Sequence, residues 1–137
     1  MTAQTMAAPR TARNKHSVGP LASKTRGMAT LDLLVLRCTD IRATRSFYEL
    51  VGVAFVLEQH GGGPDHFAAA LDEVTFEMYP ATPTRPPEPG LRIGVRVDDE
   101  EAIVDALVSA GHLPRHASGP VSFVDPDERI VAISGRP

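Results

Sequence analysis

Apolar and polar positions between residues 31 and 135 fall into two series of the same kind. Leu31 to Cys38 is largely apolar and predicts a buried strand. Asp40 follows, with a carboxylate able to accept the free amides of a helix's first turn. Ile41, Phe47, Tyr48 and Val51 recur on one helical face, and Gly52 suits the left-handed position that ends a helix. Val53 to Glu58 then predicts a strand, His60 to Asp65 a Gly/Pro loop, and His66 to Leu71 with Val74 to Tyr79 a hairpin. Five prolines between Pro80 and Gly90 mark a stiff linker.

Beyond the linker the order repeats. Leu91 to Val97 predicts a strand, and Asp98 with Glu101 forms a possible capping box. Ile103, Val104, Leu107 and Ala110 make an apolar helix face that Gly111 closes. Short strands are expected at His112–His116, Val121–Val124 and Ile130–Ser134. A single constant shift carries Asp40 onto Asp99 and Gly52 onto Gly111. Each half is thus one strand–helix–three-strand unit, about 31–80 and about 91–135, with the linker at 80–90. One such unit leaves a sheet face uncovered, so pairing two of them is physically sensible.

Composition adds limits. A length of 137 residues suits one domain, and 42% hydrophobic with 23% charged residues is a globular balance. No run approaches the roughly 20 apolar residues that cross a bilayer, so no membrane role is expected. The lone Cys38 excludes an internal disulfide and suits a reducing cytoplasm. Residues 1–27 carry Arg10, Arg13, Lys15, Lys24 and Arg26 without any acid. They lack apolar periodicity and are expected to be a disordered basic extension, with a targeting leader as the alternative. Met28, directly before the first strand, could be the true start of a domain at 28–137. Against a net charge of −3, the remainder carries −8, which disfavours nucleic acid as a partner.

Three stretches resemble the vicinal oxygen chelate superfamily of glyoxalases, bleomycin-resistance proteins and extradiol dioxygenases. They are Asp40 through Phe47-Tyr48 to Gly52, Phe76 to Pro80 (FEMYP), and Phe123 to Ile133 (FVDPDERIVAI). The resemblance implies an α+β fold in which two βαβββ units form an open eight-stranded cup. It also implies where metal enzymes of the superfamily take their ligands. Those four positions fall on Leu33, Glu77, Arg92 and Ala132. Glu77 alone is a ligand-type residue. Leu33 and Ala132 offer no donor, and Arg92 brings a permanent positive charge that repels a cation. No metal cofactor is therefore expected unless the site is reorganised.

Strand alternation indicates what the cup would hold. Leu91, Ile93, Val95 and Val97 should face a helix, leaving Arg92, Gly94 and Arg96 on the cup side. Thr75, Glu77 and Tyr79 should likewise face the cup, beside Leu33, Val35 and Ala132. A few polar groups on an apolar wall suit a small organic ligand. Glu77 and Arg92 could instead pair with each other. The loop from His60 to His66 contains three successive glycines and lies at the expected rim, so His60 and His66 are further candidate ligand contacts. The competing expectation is a plain hairpin connection with incidental histidines. His112 and His116 read as surface residues.

The resulting expectation is metal-independent binding of a small organic molecule, as in bleomycin-resistance proteins that sequester ligand between two subunits of a homodimer. The main rival is a metal-dependent lyase, isomerase or oxygenase with a reorganised site. In it Glu77 would be the base and His60 or His66 its partner. A third possibility is a structural or regulatory dimer without ligand.

Overall fold

The computed structural model describes residues 29–116 and 119–137. The readings of residues 1–27 and of Met28 lie outside them. The described elements are β1 (Leu33–Cys38), α1 (Ile41–Val51), β2 (Val56–Glu58), β3 (His66–Leu71), β4 (Val74–Pro80), β5 (Arg92–Val97), α2 (Glu100–Ser109), β6 (Ser122–Val124) and β7 (Ile130–Gly135). They form a four-stranded sheet in the order β1-β4-β3-β2 and a three-stranded sheet in the order β5-β7-β6. In each sheet the first strand runs parallel to the last strand of its unit, and the remaining pairs are antiparallel. The two units expected from the repeat are therefore present.

Both helices start and stop for local reasons. Asp40 accepts from the Arg42 and Ala43 amides at 2.9 and 3.2 Å, and Gly52 ends α1 at φ +110°. Phe47, Tyr48 and Val51 on its inner face are buried. In α2 the cap is Asp99, which accepts from the Ala102 amide at 3.1 Å. The expected box of Asp98 and Glu101 is thus displaced by one residue. Asp98 instead meets Arg136 at 2.6 Å on the surface. Gly111 follows α2 at φ +98°, in the role foreseen for it.

Two strands are shorter than expected. Val53 donates to the Tyr48 carbonyl and sits in the core, so it completes the helix end rather than starting β2. Among the described residues, His112–His116 is reduced to one bridge between Arg115 and Ser122. His112 is drawn inward as well, with its ring edge-on to Phe47 at 5.1 Å, so it is not an ordinary surface residue.

One face of each sheet carries the core. Leu36, Cys38, Phe67, Phe76 and Met78 of the first sheet are buried together with Phe123, Val131 and Ile133 of the second. The units are joined at the turn before β7. Arg129 is fully buried and donates to Asp125 and Glu88 and to the Arg37 carbonyl. Asp125 also accepts from the Tyr48 hydroxyl at 2.7 Å, and Asp127 accepts from the Thr39 amide and hydroxyl. Burial alone would lower the Arg129 pKa, but the hydrogen bonds it donates to Glu88 and Asp125 outweigh it and raise it. Burial, reinforced by Asp125, likewise raises that of Tyr48.

Removing one member of such a cluster leaves uncompensated buried charge. Arg129→Ala is expected to lose about 3–5 kcal/mol of folding free energy, read from urea denaturation; a loss below about 1 kcal/mol would contradict this role. Glu128, in the same turn, is an exposed non-glycine residue at φ +68°. Left-handed backbone costs a side-chain-bearing residue about 1–2 kcal/mol, so Glu128→Gly should raise the denaturation midpoint by an amount equivalent to about 1 kcal/mol.

Candidate functional site

The alternation of β4, β5 and β7 places one set of residues on the face away from the helices. Arg92, Gly94 and Arg96 are exposed along β5, whereas Ile93, Val95 and Val97 turn towards the core. Glu77 and Tyr79 are half-buried on β4, between the buried Phe76 and Met78 and beyond. The register repeats in the two units. Leu33 pairs with Thr75 and Arg92 with Ile130, and Glu77 and Ala132 each stand two residues further along the last strand. The four positions assigned from the sequence are thus structurally equivalent in pairs. They comprise one carboxylate, one guanidinium and two aliphatic side chains.

Glu77 and Arg92 lie in different sheets, and among the described residues no ion pair joins them. Val35 flanks Glu77 on β1 and Ala68 flanks it on β3, so its immediate neighbours across the sheet are apolar.

One polar row crosses the first sheet. Glu58 pairs with His66 across β2 and β3, and Arg37 pairs with Tyr79 across β1 and β4. The rings of His66 and Tyr79 stack between them, 4.1 Å apart and 9° from parallel. The Arg37 guanidinium lies 5.0 Å from the centre of the Tyr79 ring. The row therefore reads carboxylate, imidazole, phenol, guanidinium. Desolvation, with a contribution from Glu77, raises the Tyr79 pKa, and Arg37 opposes the shift. The phenol consequently remains a hydrogen-bond donor at neutral pH.

His60 and His66 come together as the glycine-rich loop suggested, with ring centres 5.2 Å apart. The partner they share is Glu58, which sequence reasoning did not single out. Its Oε1 lies 3.3 Å from Nε2 of each histidine. Alternation along β2 and β3 could have pointed to it, since residues paired across an antiparallel ladder share a face. The loop turns tightly, with Gly63 N donating to the His60 carbonyl at 2.9 Å. A side chain at Gly63 would stand 3.1 Å from that carbonyl oxygen, so this glycine is needed for close approach.

Other groups are structural. Cys38 is fully buried, and burial pushes its thiol up to about 11. Because the thiolate is the reactive form, native protein should resist a disulfide-exchange reagent at pH 8 and react stoichiometrically once unfolded in denaturant. Rapid labelling of the folded chain would show that Cys38 is accessible. A cavity of about 570 Å³ lies between α2 and the segment before β6, lined by Glu100, Glu101, Val104 and His116 among others. None of the candidate residues of the sheet face lines it. No helix among the described residues is long and apolar enough to cross a membrane.

No protein-family model and no curated protein matches the chain. Solved structures do. TnmS3, an antibiotic binding protein from Streptomyces sp. CB03234, superposes with a TM-score of 0.63 at 22% identity, over 81% of this chain and 98% of that one. A glyoxalase/bleomycin resistance protein from the same organism gives 0.58 at 24% identity, over 77% and 99%. The lactoylglutathione lyase of Agrobacterium tumefaciens gives 0.60 at 14% identity, over 80% and 95%. The chain therefore has the glyoxalase/bleomycin-resistance fold, built here from a four-stranded and a three-stranded unit.

Proposed function

We propose that this protein binds a small organic molecule on the open faces of its sheets, without a metal ion at the four positions that serve metal enzymes of this fold. The observation that carries the reading is the replacement of donor residues there by Leu33, Arg92 and Ala132, with Arg92 and Arg96 exposed on the same face. A guanidinium at a ligand position favours an anionic or carbonyl-bearing ligand over a cation. Tyr79, Glu77 and Arg37 add a donor, an acceptor and a third cationic contact, while Val35 and Ala68 supply apolar wall. Such a mixture recognises a partly polar, partly aromatic molecule. An antibiotic binding protein among the fold relatives is in keeping with this role.

The face is open in one chain, so the cup is proposed to be completed by a second copy in a homodimer. The exposed Val56 and Leu57 on β2 leave apolar edge surface for such a contact. A cytoplasmic location is proposed on the single cysteine.

Native mass spectrometry of untreated protein tests the reading. The expected result is a dimer retaining an organic molecule of constant mass that survives treatment with a chelator. Arg92→Gln with Arg96→Gln should abolish retention while leaving the melting temperature nearly unchanged, because exposed charges contribute only about 0–1 kcal/mol. Loss of the ligand on chelation, or retention unaltered in the double variant, would refute the proposal.

A further inference from the structure

From the convergence of Glu58, His60 and His66 we infer a divalent transition-metal site, of the kind that takes zinc, at the rim of the first sheet. It is separate from the four superfamily positions and independent of the ligand proposed for the sheet face. Two histidines and a carboxylate are an established donor set for zinc, with a fourth position left for water or another molecule. The candidate donor atoms all lie within 4.8 Å of one another.

The decisive residue is His66. Its side chain is only 1% exposed, yet its Nε2 has no hydrogen-bond partner. Glu58 Oε1 lies 3.3 Å from that nitrogen, near enough for charge attraction but not aligned as a hydrogen bond. Buried polar atoms without partners are uncommon and call for a physical reason. The opposite nitrogen supplies one. Nδ1 stands 3.3 Å from the Pro64 carbonyl oxygen, which can only accept, so the ring can donate there and leave Nε2 to bind a cation. With Glu58 Oε1 3.3 Å away, the gap between Nε2 and the carboxylate suits a cation shared by both. A backbone carbonyl on the far nitrogen is also the usual way a metal-bound histidine is oriented, and stacking on Tyr79 holds the ring plane.

The spacing agrees. Donors about 2.0–2.1 Å from a tetrahedral zinc ion stand about 3.3–3.4 Å apart. The two His–Glu separations are both 3.3 Å, longer than an ordinary charged hydrogen bond at about 2.7–2.9 Å. His60 is exposed and sits beside Gly61 at φ +57°, so the small movement that would close the third edge falls on the adaptable side of the loop.

The test is a calorimetric titration of the full chain, first stripped of metal, with Zn²⁺, alongside the absorption spectrum of a Co²⁺-loaded sample. The expected result is one zinc ion per chain and visible bands of four-coordinate cobalt. Glu58→Gln and His60→Ala alter partly or fully exposed side chains, so both variants should fold. Each should weaken zinc binding at least about tenfold, the scale on which even supporting residues act. Glu77→Gln should leave it unchanged. Absence of zinc binding by the full chain would overturn the inference. So would equal affinity in Glu58→Gln and His60→Ala, or a loss on Glu77→Gln alone. Ligand retention by the sheet face is read separately, so one proposal can fail while the other stands.

Discussion

The arrangement of the two halves depends on a guanidinium removed from water. Arg129 sits where the loop before β7, the end of β1 and the proline-rich linker meet. Each of its partners comes from a different part of the chain. Asp125 lies in its own turn, Glu88 in the linker, and the accepting carbonyl on β1. Burying an ion without such partners costs several kcal/mol, so misplaced halves would leave that cost unanswered. Asp125 extends the constraint to α1 through Tyr48, and Asp127 extends it to the start of α1 through Thr39. The apolar core supplies non-directional attraction, whereas this cluster specifies how one unit sits on the other.

Holding both helices on one side leaves the opposite faces of the sheets for other work. Arg92 and Arg96 are tolerable there because they remain in contact with water. The same residues turned one position along β5 would be buried against the core, since a one-residue slip exchanges the two faces of a strand. Charge on this face is therefore a consequence of its openness. It also limits what can fill the cup: a purely apolar occupant would strip water from two guanidinium groups and offer nothing in return.

Much of this was legible in the sequence because it is local. Asp40 and Gly52 bracket α1 by cap chemistry, and period-two alternation assigned both faces of β4 and β5 correctly. The α2 cap was misplaced by one residue because Asp98 and Asp99 are adjacent and offer the same chemistry; the surface partner of Asp98, Arg136, lies far along the chain. Among the described residues the strand expected at His112–His116 is reduced to the Arg115–Ser122 bridge, and His112 instead bonds the Leu107 carbonyl and lies edge-on to Phe47, a contact no local pattern encodes. The Asp-Pro-Asp turn was recognised, but not the buried role of Arg129, which rests on Glu88 and on the backbone of β1.

The histidines show the same limit at the site. Their loop is legible from its glycines, and the rival enzyme reading gives them Glu77 as carboxylate partner. The ladder instead joins β3 to β2 at Glu58 and His66. Glu77 pairs with Ala68, two residues further along β3 on the same face. Spacing in sequence could not choose between these carboxylates, because both lie on strands adjacent to β3. Register could. Along the row from Glu58 to Arg37, an acid at one edge of the sheet and a base at the other are linked by two stacked rings. The two ends differ in what they can attract: a cation at Glu58 and the histidines, an anion at Arg37. Cross-strand register, not spacing along the chain, puts these two chemically distinct ends on one face of the sheet.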